Sequence, residues 1–145
     1  MEILELMSKN IIFLNPSWEQ KALVEEIDSL GINIIGLGKE APEYSNLFKR
    51  YISCDVNDID TIFDICKTNN INGVISDNCD YSLLSSELTC NLLDLPNLGI
   101  DAARTSNDKI MQRKLASLSK INQPSFQEVN NLLDALEFTK NMKKS

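Results

Sequence analysis

The sequence predicts an α/β domain built on an open, mostly parallel sheet with helices on both faces. Three observations carry this: short apolar runs too brief for helices, amphipathic stretches of about 12 residues between them, and strand-helix alternation over the first hundred residues. Ile11-Ile12-Phe13-Leu14 reads as a strand buried on both faces, ending at the turn Asn15-Pro16-Ser17. From Trp18 to Leu30 the apolar positions Leu23, Ile27 and Leu30 recur at helical spacing, and Gly31 supplies a left-handed cap. Ile32–Leu37 is the second strand. A loop with Pro42 and a short helix near Tyr44–Phe48 lead to a third strand at Arg50–Cys54. The next helix is capped by Asn57 or Asp58 and buries Ile59, Ile62, Phe63 and Cys66. Asn72–Ser76 is the fourth strand. Tyr81–Asp94 is a helix with Leu84, Leu88, Leu92 and Leu95 on one side, and Pro96–Ile100 is expected to form a fifth strand or an extended edge.

Composition narrows the function. The 145 residues suffice for one ordinary domain, and 43% hydrophobic content builds a core. A net charge of -7 repels a polyanion, so nucleic acid is not an expected partner. No apolar run approaches the roughly 20 residues of a membrane helix, and Met1–Asn10 lacks the pattern of a signal peptide, so the expected location is the cytoplasm. Cys54, Cys66, Cys79 and Cys90 contain no C-x-x-C pair and read as buried thiols. With no histidine, Ser-His-Asp and Cys-His catalysis and His-containing zinc sites are excluded, and no catalytic residue or metal site is assigned.

In open α/β sheets ligands bind beyond the carboxyl ends of the strands, near the point where strand order reverses. Two loops meet that condition, Asn15-Pro16-Ser17-Trp18 and Asp77-Asn78-Cys79-Asp80-Tyr81. Asn15 and Ser17 can present polar groups and backbone N–H donors to an anionic substrate, or simply cap the helix. Asp77 and Asp80 can bind a substrate amine or orient a metal, and Asp80 equally reads as a helix cap. Trp18 is expected to pack rather than stack on a ligand. The first strand is not followed by G-x-G-x-x-G, and Gly36-Leu37-Gly38 follows the second strand as a turn, so a dinucleotide site is disfavoured.

The stretch from Gly99 to Leu118, followed by Gln123-Pro124-Ser125-Phe126, carries a resemblance. Leu93-Asp94-Leu95-Pro96, Gly99, the pair Ala102-Ala103 and Asn107-Asp108-Lys109 resemble, in order and spacing, the junction of ATP-grasp enzymes. There an N-terminal parallel domain gives way to the helix leading into the ATP-binding lobes. Ser76-Asp77 and Asp80-Tyr81-Ser82-Leu83 are similar to the fourth-strand loop of members related to carbamoyl phosphate synthase large subunits and biotin carboxylases. The resemblance spans roughly residues 10 to 126. It implies a Rossmann-like domain of the pre-ATP-grasp type over residues 1–100, then a helical linker and the start of a truncated ATP-grasp domain over 101–145.

It further implies a substrate-side domain of a carboxylate-amine ligase-like protein, acting on a small carboxylate or amine, in which Lys109 faces nucleotide phosphates. Ser106 or Asn107 is the expected cap of that helix. Lys109 then sits in the first turn, where a cation is unfavourable to the helix dipole, unless Asp108 balances it. ATP and Mg²⁺ belong to the complete enzyme and are not expected to be held tightly by this chain. The lobes would come from residues beyond a truncation or from a separate polypeptide. Val129, Leu132, Leu133 and Leu136 share a face of a last helix, and from about Ile121 onward exposed leucines are expected, favouring a homodimer. The alternatives are a non-catalytic small-ligand-binding or regulatory module and, more remotely, a receiver-like domain, although the acidic cluster that a receiver needs after the first strand is absent.

Overall fold

The computed structural model describes residues 9–142. They fall into two compact units that meet in sequence at Asn107/Asp108. The first contains a four-stranded, wholly parallel sheet of β1 (Asn10–Leu14), β2 (Asn33–Gly38), β3 (Arg50–Ser53) and β4 (Gly73–Ile75), in the order β3-β2-β1-β4. Phe13 lies beside Gly36 on one flank and Ile75 on the other. Its helices are α1 (Lys21–Ser29), α2 (Ile59–Thr68), α3 (Asp80–Leu92) and α4 (Ile100–Asn107), with 3₁₀ turns at Trp18–Gln20 and Ser45–Leu47.

Strand alternation sends the core to both faces. Ile12, Leu14, Ile35 and Leu37 pack with Val56, Ile62, Cys66 and Ile71 on one side, while Phe13 and Ile34 pack with Val24, Ile27, Tyr44 and Phe48 on the other. Gly36 is required where it lies, because a Cβ there would sit 2.6 Å from Tyr51 Cδ2. Gly31, at φ 74°, closes α1 as expected. Asp58 is the cap of α2, accepting from the Thr61 N–H at 3.1 Å.

Several expectations of the first unit require correction, among them the turn expected at Gly36-Leu37-Gly38, which lies within β2. The buried stripe of α1 is centred on Val24 and Ile27, with Leu23 and Leu30 flanking it in solvent. In α3 the buried face is Ser82, Ser85, Ser86, Thr89 and Cys90 with Glu87, and Leu92 is exposed. Small side chains let this helix lie close to β4 and α4, so its inner face is marked by size and not by hydrophobicity. Residues 95–99 form no strand. The Glu87 carboxylate, buried on α3, accepts from the Leu98 and Gly99 N–H groups and so takes donors that a ladder would need. Finally, Asp80 does not cap α3, whose N-cap is Cys79.

The second unit holds α5 (Lys109–Leu118) and α6 (Leu132–Met142), and none of its described residues is buried. Asp108, rather than Ser106 or Asn107, caps α5, accepting from Ile110 and Met111 N–H at 2.9 Å each. Leu132, Leu133, Leu136 and Val129 are exposed, as the sequence led us to expect. All four cysteines are free, three buried and Cys54 half-buried. No helix among the described residues is long and apolar enough to cross a membrane.

Candidate functional site

A cleft of about 920 Å³ opens at the carboxyl ends of β1 and β2. One wall is the β1–α1 loop with Asn15, Ser17 and Trp18, continued by Lys21 and Glu25 of α1; the other is the β2–β3 loop, with Lys39, Glu40, Glu43 and Tyr44. A buried tyrosine joins the walls: the Tyr44 hydroxyl donates to the Ser17 carbonyl. Below it, the Tyr51 hydroxyl donates to the Glu40 carbonyl at 2.6 Å and fixes the second loop where it leaves β2.

The side of β1 facing β4 is bridged instead of open. Gln20, 2% exposed, accepts through Oε1 from both the N–H and the Oγ of Ser17 at 2.8 Å, and its Nε2 donates to the Asp77 carbonyl at 2.9 Å. Asn78 Nδ2 donates to Glu19 at 2.7 Å, and Asn15 Nδ2 donates to the Tyr81 hydroxyl and lies 3.6 Å from Cys79 Sγ. Asn15 itself is left-handed, at φ 49°, a conformation that asparagine tolerates better than most residues. Its N–H prolongs the sheet by donating to Leu37 O at 2.6 Å.

These bonds change the chemistry expected of the first loop. The Ser17 and Asn15 N–H groups and the Asn15 amide, expected to receive an anion, are already committed within the chain. Each cleft lysine has an acidic neighbour, Lys21 with Glu25 and Lys39 with Asp55, both at 3.7 Å. Asp55 is held below its ordinary range by hydrogen bonds from Asn57 and then by Lys39. Glu40 and Glu43 pair with no cation among the described residues. Tyr51 is pushed up to about 12, by burial first and then by surrounding groups that include Glu40, so its phenol remains a donor.

No protein-family model matches the sequence, and no curated protein matches it. Solved structures do. Phosphoribosylglycinamide synthetase from Anaerococcus prevotii superposes with a TM-score of 0.75 at 21% identity, over 92% of this chain and 34% of that one. L-amino acid ligase from Bacillus licheniformis gives 0.76 at 18%, over 88% and 34%. N5-carboxyaminoimidazole synthetase from Staphylococcus aureus, complexed with ADP, gives 0.74 at 12%, over 92% and 35%. The fold is one that these ATP-grasp enzymes share in their N-terminal part. At these identities the likeness is one of fold, and the chain spans about a third of the length of the proteins that share it.

Within this fold the residues singled out from sequence separate. Asn15 and Ser17 come together in the cleft. Asp77 and Asp80 are exposed and do not line it; their carbonyls accept from Gln20 and from Asn107 Nδ2 at 2.7 Å. Lys109 is the exposed first residue of α5, in the second unit. Trp18, expected to pack, is 81% exposed on the rim. Gln20 and Tyr44 escaped the sequence reading. The spacing Ser17-x-x-Gln20, a capping-box pattern, was the available signal for Gln20. Among the described residues no group of three or more His, Cys, Asp or Glu side chains is placed to hold a metal ion.

Proposed function

We propose that this chain is the substrate-side N-terminal domain of an ATP-grasp, carboxylate-amine ligase-like protein, and that its cleft holds the small carboxylate or amine substrate. ATP and Mg²⁺ would be held by ATP-grasp lobes outside these residues, and Lys109 would contribute at the junction toward the nucleotide phosphates. The observation that supports the reading is a cleft at the carboxyl ends of β1 and β2, in a fold shared with synthetases and ligases. Ligands of open α/β sheets bind at that end. In this reading the chain orients one substrate, excludes part of its solvent, and leaves carboxylate activation as an acyl phosphate to the lobes.

The test is a titration of the ¹⁵N-labelled chain with small amines, small carboxylates and MgATP, read at backbone amides. Small substrates are expected to move Ser17 and residues 39–47 at millimolar concentration. MgATP bound by the chain alone more tightly than about 10 μM, near -7 kcal/mol, would place a nucleotide pocket here and overturn the reading. Silence of every cleft amide to every small molecule would do the same.

A further inference from the structure

We propose that the cleft selects a cationic amine, and that Trp18 and the carboxylates of Glu40 and Glu43 recognise its ammonium group. This rests on the reading of the cleft as the substrate site and names which substrate enters it.

Three observations converge. The first is Trp18. An indole 81% exposed at the mouth of a cleft contributes little to folding, since exposure leaves most of its apolar area in water. Its face is available to a ligand, and a ring face carries the negative end of the aromatic quadrupole, which attracts cations. The second is the charge left over. Five charged side chains line the cleft, and both lysines already lie 3.7 Å from a carboxylate, Lys21 from Glu25 and Lys39 from Asp55. What remains is Glu40 and Glu43, on the wall opposite the tryptophan. The third is the direction of the hydrogen bonds. The loop donors that would greet an anion are used internally: Ser17 N–H by Gln20, Asn15 N–H by Leu37 and Asn15 Nδ2 by Tyr81. A carboxylate entering here would meet the carboxylates of Glu40 and Glu43, which pair with no cation among the described residues, and two lysines that each already lie beside an acidic group. An ammonium group would meet two carboxylates and a π face.

The experiment uses n-propylammonium and propionate, small aliphatic probes of opposite charge and similar size, titrated into the intact ¹⁵N-labelled chain. Trp18 is the sole tryptophan, so its indole N–H resonance is assigned without ambiguity. Propylammonium is expected to move that resonance and the Ser17 amide saturably, and propionate to move them less at every concentration. Trp18→Ala, read at Ser17, should weaken amine binding about two- to fivefold, as for an exposed cation–π contact. The double variant Glu40→Gln/Glu43→Gln should weaken it about three- to tenfold, two exposed charge pairs acting together. All three side chains are exposed, so the variants should fold. Propionate binding as well as or better than the amine would overturn the amine assignment while leaving a substrate cleft in place, and so would an amine response unchanged in both variants. Silence toward both probes would remove the cleft reading as well.

Discussion

Replacing Gln20 with alanine is the sharpest test of how this site is built. The side chain is 2% exposed and makes three hydrogen bonds, two accepted from Ser17 at 2.8 Å and one donated to Asp77 O at 2.9 Å. At about 0.5–1.5 kcal/mol net for each, the gross loss is roughly 1.5–4.5 kcal/mol. Ser17 is half-buried and Asp77 exposed, so water replaces part of this, and the expected destabilisation is about 2–3 kcal/mol. With a urea slope of about 1.5 kcal/mol/M, the midpoint should fall by roughly 1.3–2 M. Because the chain has two units, the transition should be followed at slowly exchanging β1 amides such as Ile12, which report the first unit alone. The Ser17 amide should exchange at least about tenfold faster, the equivalent of 1.4 kcal/mol. Gln20→Glu keeps the acceptor for Ser17 but sets a buried oxygen against the Asp77 carbonyl, so it should fail to rescue. A midpoint shift below about 0.3 M for the alanine variant would refute the view that this residue ties the β1 and β4 loops together.

Gly36→Ala should cost about 1–3 kcal/mol by overpacking, since its Cβ would lie 2.6 Å from Tyr51 Cδ2 and 2.9 Å from Cε2; an unchanged urea midpoint would contradict the packing of that ring. Tyr51 titrates near 12 in the folded chain, above the ordinary phenol value, so the stability it contributes is complete below about pH 10 and lost as pH rises from 10 toward 12. Ultraviolet titration should show that late step, and Tyr51→Phe should remove it; three phenols sharing one midpoint near pH 10 would rule the environment out. Glu87→Ala leaves the Leu98 and Gly99 N–H groups without their carboxylate and should cost about 2–4 kcal/mol, with protection of those two amides falling more than that of Ile12; equal loss everywhere would show that the carboxylate does not hold the segment locally.

Local patterns and long-range arrangement were unequally legible in the sequence. The four strands were readable because a sheet covered on both faces needs unbroken apolar runs, and Ile11–Leu14 and Ile32–Leu37 supply them. The helix ends at Gly31 and Asp58 were readable because capping chemistry is local. The inner face of α3 was not, because Ser82, Ser85, Ser86 and Thr89 are buried for their size, which a hydrophobicity pattern does not register. The missing fifth strand depends on Glu87, eleven residues before Leu98, taking two backbone donors, and no strand signal carries that information.

The same division explains the site. Asn15 and Ser17 line the cleft because they follow a strand's carboxyl end, where ligands of this architecture gather. Asp77 and Asp80 do not line the cleft, because they flank the gap where strand order reverses, between β1 and β4, and here that gap is crossed by bonds from Gln20, Asn15 and Asn78. The open space therefore lies on the other side of β1, against the β2–β3 loop, whose Glu40, Glu43 and Tyr44 carried no signal as site residues. The bonds that bridge the gap also use up the donors of the first loop. One set of side chains thus bears on both where the cleft lies and the charge preference proposed for it, and mutation of Gln20 should disturb the two together.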